Sequence, residues 1–282
     1  MGRRWKPLAR APTFPTSTAC SSAFPALPEP VTNKNAPIAL LDSGAGGIGV
    51  LREVQKLLPR EQLLYFGDSL HAPYGEKSTA EIRRLVLTAA DRLLARAKAL
   101  VLACNTATAV AAEQLRRRYP DRPIIGMEPA LRPALSVGAH PTVLVLATAA
   151  TLGQEKFARL RQKCEKSATV WALSAPGIVR LVEQGLADSP QMDAYLSTLF
   201  ATLPTLPDAV VLGCTHFPFA QKSLRRVLGD LPFFDGAVGT AKELRRRLAA
   251  QHLLAPKDAA GSIMLRTSDP RSLPLFLRLY QQ

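Results

Sequence analysis

The chain has 282 residues, long enough for one large α/β domain or two of medium size. Its content of 47% hydrophobic and 21% charged residues is that of a globular protein in water, and no apolar run reaches the ~18 residues that a membrane helix needs. The net charge of +14 brings nucleic acid into consideration, yet a recognition motif, a zinc spacing and interleaved aromatics are all missing from the basic stretches.

Those stretches ("RLRQK", "RRVL", "ELRRRLAAQ") are scattered over helical segments. A general field that attracts small anions explains them more simply, so nucleic acid is not expected as the main partner. Four cysteines, Cys20, Cys104, Cys164 and Cys214, form no close pair. That argues against a disulfide scaffold and for a reducing, cytoplasmic compartment.

Residues 1–36 are rich in Pro, Ser, Thr and Ala, with Glu29 their only acid, and cannot bury enough apolar surface to fold alone. Disorder is expected there. A mis-assigned start, a regulatory tail and a targeting segment are the readings open for it; it lacks both a secretory h-region and the amphipathic period of a transit peptide.

From Pro37 the pattern alternates. "IALL" reads as a strand, followed by the glycine loop "DSGAGGIG" and a helical period. Gly44, Gly46 and Gly49 match the G-x-G-x-x-G dinucleotide fingerprint, and Asp68, after the strand "LLYF", stands where its acid would fall. In "HAPYGEKS", Pro73 fixes the chain and Gly75 permits a turn, so that Tyr74 and Gly75 present polar groups at close range. Lys77 reads as a surface residue rather than a Schiff-base lysine.

Next come the helix "STAEIRRLVLTAADRLLARA", the strand "ALVLA" and the helix "AVAAEQLRRRY". The strands "PIIG", "TVLVLA" and "TVWAL", the helix "PGIVRLVEQGLA", and the strands "DAVVLG" and "SIMLR" follow. Short, nearly continuous apolar strands alternating with amphipathic helices predict doubly wound α/β architecture with parallel sheets.

One internal echo carries chemistry. "LVLACNTAT" and "VVLGCTHFP" both read as strand, small residue, cysteine and a polar turn, with Cys104 and Cys214 110 positions apart. Ligands of parallel α/β sheets bind outside the carboxyl ends of the strands, so two similar domains face to face would put these sulfurs on opposite walls of one cleft. Each has hydroxyl or amide neighbours (Asn105 and Thr106; Thr215 and His216) at an expected helix N-terminus, where the dipole would draw a thiol's pKa down toward neutrality.

A metal site using Cys104, Cys214 and His216 lacks a second close pair of ligands, and Cys–His acyl transfer needs only one thiol. No metal is expected. Proton transfer at a carbon stereocentre uses both sulfurs, one removing a proton from one face while the other returns one to the opposite face. Asp42 and His216 are placed to tune them. Cys20 and Cys164 read as a tail residue and a helix residue without such a role.

"LDSGAGGIGV", "YFGDSLHAPYGEKS", "LVLACNTAT", "GMEPA" and "VVLGCTHFPF", in this order, resemble the glutamate racemases of the cofactor-independent aspartate/glutamate racemase superfamily. The resemblance spans Pro37 onward. It implies two doubly wound α/β domains related by pseudo-twofold symmetry, 37–127 plus 238–282 and 128–237, with glutamate held in the cleft between them and no cofactor. It implies that Cys104 takes the proton of D-glutamate and Cys214 that of L-glutamate, with Asp42 assisting the first and His216 the second.

Glu183 matches a glutamate near that histidine, although a solvated helix charge describes it equally well. Asp42, Ser43, Tyr74, Gly75, Asn105, Thr106, Thr215 and His216 match substrate-binding positions. The resemblance further implies a bacterial, cytoplasmic role in supplying D-glutamate to peptidoglycan. A homodimer is compatible with the sequence and not demanded by it.

On this reading the fingerprint is a decoy: a pyrophosphate would meet the like charge of Asp42, whereas an ammonium would be attracted to it. Departures from the family pattern, His71 for an arginine, "FFDGA" and "GGIGV", touch none of the acid/base positions and bear on substrate fit. Some relatives carry an extension that binds a cell-wall precursor as activator, and residues 1–36 match none of it. Aspartate racemisation is the nearest alternative activity.

Overall fold

A computed structural model describes residues 33–282. The disorder expected over 1–36 therefore lies, apart from 33–36, outside the described residues. The first unit runs β1 (Ile38–Asp42), α1 (Ile48–Leu57), β2 (Gln62–Gly67), α2 (Thr79–Leu94), β3 (Ala99–Leu102), α3 (Asn105–Arg118) and β4 (Ile124–Gly126). The second runs α4 (Leu131–Ala134), β5 (Thr142–Ala147), α5 (Ala149–Leu152), α6 (Glu155–Cys164), β6 (Thr169–Ser174), α7 (Pro176–Glu183), α8 (Pro190–Phe200), β7 (Ala209–Leu212), α9 (Gln221–Leu228) and β8 (Phe233–Asp235). The chain then returns through α10 (Ala237–Ala250), β9 (Ser262–Thr267) and α11 (Leu273–Gln281).

All strand pairings are parallel, in a five-stranded sheet β4-β3-β1-β2-β9 and a four-stranded sheet β6-β5-β7-β8. Read from its other edge, the second sheet is β8-β7-β5-β6, strand for strand the order β4-β3-β1-β2 of the first. The fold is thus one α/β topology used twice, with β9 added to the first copy, in agreement with the predicted class.

The sequence explains the layering. β1, β3 and β7 are buried at every position because helices cover both faces of each sheet. Each fully buried Leu or Val in them contributes roughly 1.5–3 kcal/mol of transfer free energy. In α2, Ile82, Leu85, Val86, Leu93 and Leu94 recur at three- and four-residue spacing on the buried side, and Ser78 caps the start by accepting from the Glu81 amide at 3.2 Å. α7 starts on Pro176, which has no N–H to leave unpaired, and the chain turns beyond it at Gly185, where φ is +78°.

One apolar cluster runs through both units, joining Leu40 and Tyr65 of the first to Leu144, Val179 and Phe217 of the second. β8 is a strand that sequence periodicity does not announce: three residues, all only partly buried, between Pro232 and Gly236. Among the described residues, no helix is long and apolar enough to cross a membrane.

Candidate active site

Parallel register decides which residues meet. Leu41 of β1 pairs with Leu102 of β3, so Asp42 and Ser43 emerge beside Ala103 and Cys104. Leu146 of β5 pairs with Leu212 of β7, so Thr148 emerges beside Cys214. Both strand ends point into the junction between the units, and side chains cross it. Thr215 donates to Asp42 Oδ2 at 3.1 Å, the Ala45 amide donates to Glu183 Oε1 at 2.7 Å, and the Thr106 and Thr148 hydroxyls are 2.9 Å apart. Cys104 and Cys214 lie inside, 5% and 6% exposed.

The two sulfurs have unlike surroundings. Cys104 caps α3, accepting the Ala107 amide at 3.4 Å, with Ser43 emerging beside it from the end of β1. The helix cap was expected to draw this thiol down. Instead burial, reinforced by the negative charge of Asp42, pushes its pKa up to about 12, because a dry site penalises the thiolate more than one helix end favours it. Asp42 is itself fully buried, and loss of water raises its pKa although His216 and the Gly44 amide (2.9 Å) pull the other way.

Cys214 stands 3.8 Å from His216 Nδ1, and His216 Nε2 lies 2.6 Å from Glu183 Oε1. The segment after Cys214 is the 3-10 turn Phe217–Ala220, not the α-helix expected there. Burial opposes a charge on His216, but the Cys214 sulfur and the Glu183 carboxylate outweigh it and raise its pKa well above the ordinary histidine value. For Glu183 too, burial is outweighed: the bond to His216, its charge and the Ala45 amide lower the pKa. Glu183 is therefore no solvated helix charge but the outer member of a sulfur–imidazole–carboxylate line.

The glycines let the 43–47 loop reach this line. A Cβ on Gly46 would stand 2.5 Å from His216 Nδ1 and from Thr215 Oγ1, and one on Gly44 would strike Glu183. The Gly44 and Ala45 amides that a phosphate cradle would leave open are already bonded to Asp42 and Glu183. Asp68, the other half of the dinucleotide match, accepts the Tyr74 hydroxyl at 2.7 Å and lies 2.8 Å from His71 Nδ1. The Tyr74 hydroxyl is thus engaged by Asp68, while Gly75 packs on Thr148, 2.8 Å from a would-be Cβ. Lys77 pairs with Glu81 at 3.0 Å.

Asn105, at the first position of α3, is 3% exposed, and neither its Oδ1 nor its Nδ2 has a protein partner. A buried amide left so costs about 1–3 kcal/mol, and both its donor and its acceptor stay available to a bound molecule. Sequence reasoning passed over Thr148 and Thr151, whose hydroxyls lie 3.1 Å apart and extend the chain from Thr106. The signal was there: "TAAT" follows β5 at the same carboxyl edge as the cysteines. A cavity of about 760 Å3, lined among others by Arg52, Asp188, Thr215 and Arg278, opens on the α1 and α11 side of the junction, and neither cysteine lines it. Among the described residues, no group of three or more His, Cys, Asp or Glu is placed to hold a metal ion.

Residues 48–244 match the family described as Asp/Glu/Hydantoin racemase. The glutamate racemase of Clostridium acetobutylicum is 42% identical over 250 residues, which cover 87% of this chain and 98% of the relative. The crystal structure of Thermus thermophilus glutamate racemase in complex with β-chloro-D-alanine superposes with a TM-score of 0.75 at 35% identity, covering 88% of this chain and 94% of that one. Escherichia coli glutamate racemase, in complex with L-glutamate and the activator UDP-MurNAc-Ala, gives a TM-score of 0.72 at 31% identity, covering 87% and 94%. The repeated topology, the paired cysteine strands and these similarities lead to one conclusion: the chain belongs to the Asp/Glu/hydantoin racemase family of isomerases, within its glutamate racemases.

Proposed function

We propose that the protein interconverts D- and L-glutamate without a cofactor, by a two-cysteine proton transfer at the α-carbon. Cys104 removes the α-proton of D-glutamate while Cys214 supplies a proton to the opposite face; for L-glutamate the roles reverse. The observation that carries this reading is the placement of the two buried cysteines at equivalent strand ends of a repeated topology, each beside its own acid/base group. Asp42 serves Cys104. His216, held by Glu183, serves Cys214, and an imidazolium is the partner a sulfur needs when it gives up a proton.

Asp42 and Ser43, Tyr74 and Gly75, Asn105 and Thr106, and Thr215 with His216 hold the substrate, and Thr148 and Thr151 join them. Glutamate as substrate is supported by the L-glutamate bound to the Escherichia coli neighbour, and the net charge of +14 favours capture of an anionic amino acid. The halves that close on it are 37–127 with 238–282, and 128–237. The product D-glutamate serves peptidoglycan synthesis in the cytoplasm.

The test is optical. Purified protein with no added cofactor should drive the circular dichroism of D-glutamate to zero, and in deuterium oxide the product should carry deuterium at the α-carbon. Cys104→Ser should lose roughly 10²- to 10⁴-fold in rate. Wild-type rates in Cys104→Ser, or no solvent deuterium, would refute the mechanism; faster racemisation of L-aspartate than of glutamate would move the substrate.

A further inference from the structure

Tyr65 belongs to none of the groups assigned above, yet it lies directly beneath them. It sits on β2, is completely buried, and its ring meets Phe276 of α11 edge-on at 5.6 Å. Its hydroxyl donates to the Gly44 carbonyl at 2.7 Å, and Gly47 at the other end of the loop packs against the same oxygen, 3.0 Å from a would-be Cβ. That short loop serves both sulfurs. The Gly44 amide holds Asp42, the Ala45 amide holds Glu183, and Gly46 abuts His216 and Thr215.

We infer that Tyr65 is a positioning residue for the reaction, pinning the 44–47 loop so that the groups serving Cys104 and those serving Cys214 stay in register across the junction. The inference rests on the proposed racemase reading. A strand tyrosine with only a packing role has no need of a hydrogen bond to a loop of the neighbouring strand. Phenylalanine would fill the same volume and leave the Gly44 carbonyl without its Tyr65 partner in a dry interior. Nor does the hydroxyl move protons itself. Burial, with the negative charges of Asp42, Glu183 and Cys104, raises its pKa well above the usual tyrosine value, so it stays neutral throughout the working range.

A freed loop withdraws the Ala45 amide from Glu183 and the Gly44 amide from Asp42, each of which favours the ionised carboxylate. Glu183 is then faced by the positive charge of His216 from the 214–216 turn and the negative charge of Asp42 from the end of β1, without the Ala45 amide, and the carboxyl becomes harder to ionise. The acid limb of the pH–rate profile consequently moves to higher pH. A change that merely loosens the core moves no such limb.

The experiment compares Tyr65→Phe with Phe157→Leu, a core change in α6 far from the junction, at matched loss of melting temperature. Tyr65→Phe should lose roughly 10- to 100-fold in kcat, with its acid limb displaced upward, while Phe157→Leu keeps both kcat and profile. Wild-type kcat and profile in Tyr65→Phe, or equal losses in the two variants with the limb unmoved, overturns the inference. Hydrogen exchange gives an independent readout: the Gly44 and Ala45 amides, bonded to Asp42 and Glu183, should exchange faster in Tyr65→Phe than in the wild-type protein, and equal rates overturn the inference. Failure of the wild type to racemise glutamate would instead refute the proposed function, and the exchange result would still report on the hold of Tyr65.

Discussion

Replacing Glu183 by glutamine separates charge from shape at one atom. The amide fills the volume of the carboxylate and can still accept from Ala45, now 2.7 Å away, so the loop keeps its place. What changes is the 2.6 Å contact with His216 Nε2, from a bond between ions to a bond with a neutral partner. A hydrogen bond to a charged group contributes roughly 1.5–3 kcal/mol and a neutral one about 0.5–1.5, a difference of about 1–1.5 kcal/mol. At 1.36 kcal/mol per pKa unit, the His216 pKa should fall by about one unit.

The sign follows from the direction of the native shift. His216 is raised in the folded protein above its unfolded value of 6.5, so the stability it contributes is fully present below that value and is lost as pH rises through the folded pKa. In Glu183→Gln that loss begins about one unit earlier, and activity that needs the imidazolium opposite Cys214 falls off on the alkaline side earlier by the same amount. The assays are an NMR titration of the His216 ring and pH profiles of racemisation for both proteins. An unchanged titration, or an unchanged alkaline limb, would refute the account of Glu183 as the group that sets the charge on His216.

Asn105→Leu should raise the melting temperature, since it removes an unpartnered buried amide worth about 1–3 kcal/mol, and should abolish measurable turnover; a variant no more stable than wild type, or still active, contradicts the ligand role of that amide. Gly46→Ala puts a methyl 2.5 Å from both His216 and Thr215, so a loss of roughly 100-fold in kcat with the fold retained by circular dichroism is expected. Lys98, 2.6 Å from Glu61 and buried with it at the amino end of β3, is as far along that strand from the chemistry as the sheet allows. Lys98→Met should destabilise by about 3–5 kcal/mol in denaturant melts while activity per folded molecule is kept, because it strands a buried carboxylate.

The strands were legible because burial on both faces leaves a local mark. β5 was read at its observed bounds, and the echo around Cys104 and Cys214 could be read as two equivalent strand ends. β8 left no such mark, since its three half-buried residues gain their strand character only from pairing with β7. The site was legible wherever a residue stood at a strand end, and opaque where its meaning came from across the junction. Glu183 gained its role from His216, 33 residues on, and from Ala45, 138 residues back. Tyr65 looked like one more apolar strand position, and the effect of burial on Cys104 reversed the sign that its helix cap suggested.

The repeated topology raises the question of why the two sulfurs are not treated alike. In a two-base exchange one sulfur must start with its proton and the other without, and identical surroundings would give both the same affinity for it. Duplicating the strand order gives the sulfurs equivalent places at two strand ends; only divergence of their neighbours can set them in the opposite states that the proposed exchange requires. That divergence is visible residue by residue. Burial, with the buried carboxylate of Asp42, pushes the Cys104 pKa up to about 12, whereas Cys214 stands 3.8 Å from a histidine whose pKa the Cys214 sulfur and Glu183 raise. The single loop from Gly44 to Gly47 touches both sets, so the halves that differ in charge are joined in position. Neutralising one neighbour, as in Asp42→Asn, removes the charge beside Cys104 while leaving His216 in place, and so lessens the difference between the sulfurs on which the proposed exchange relies.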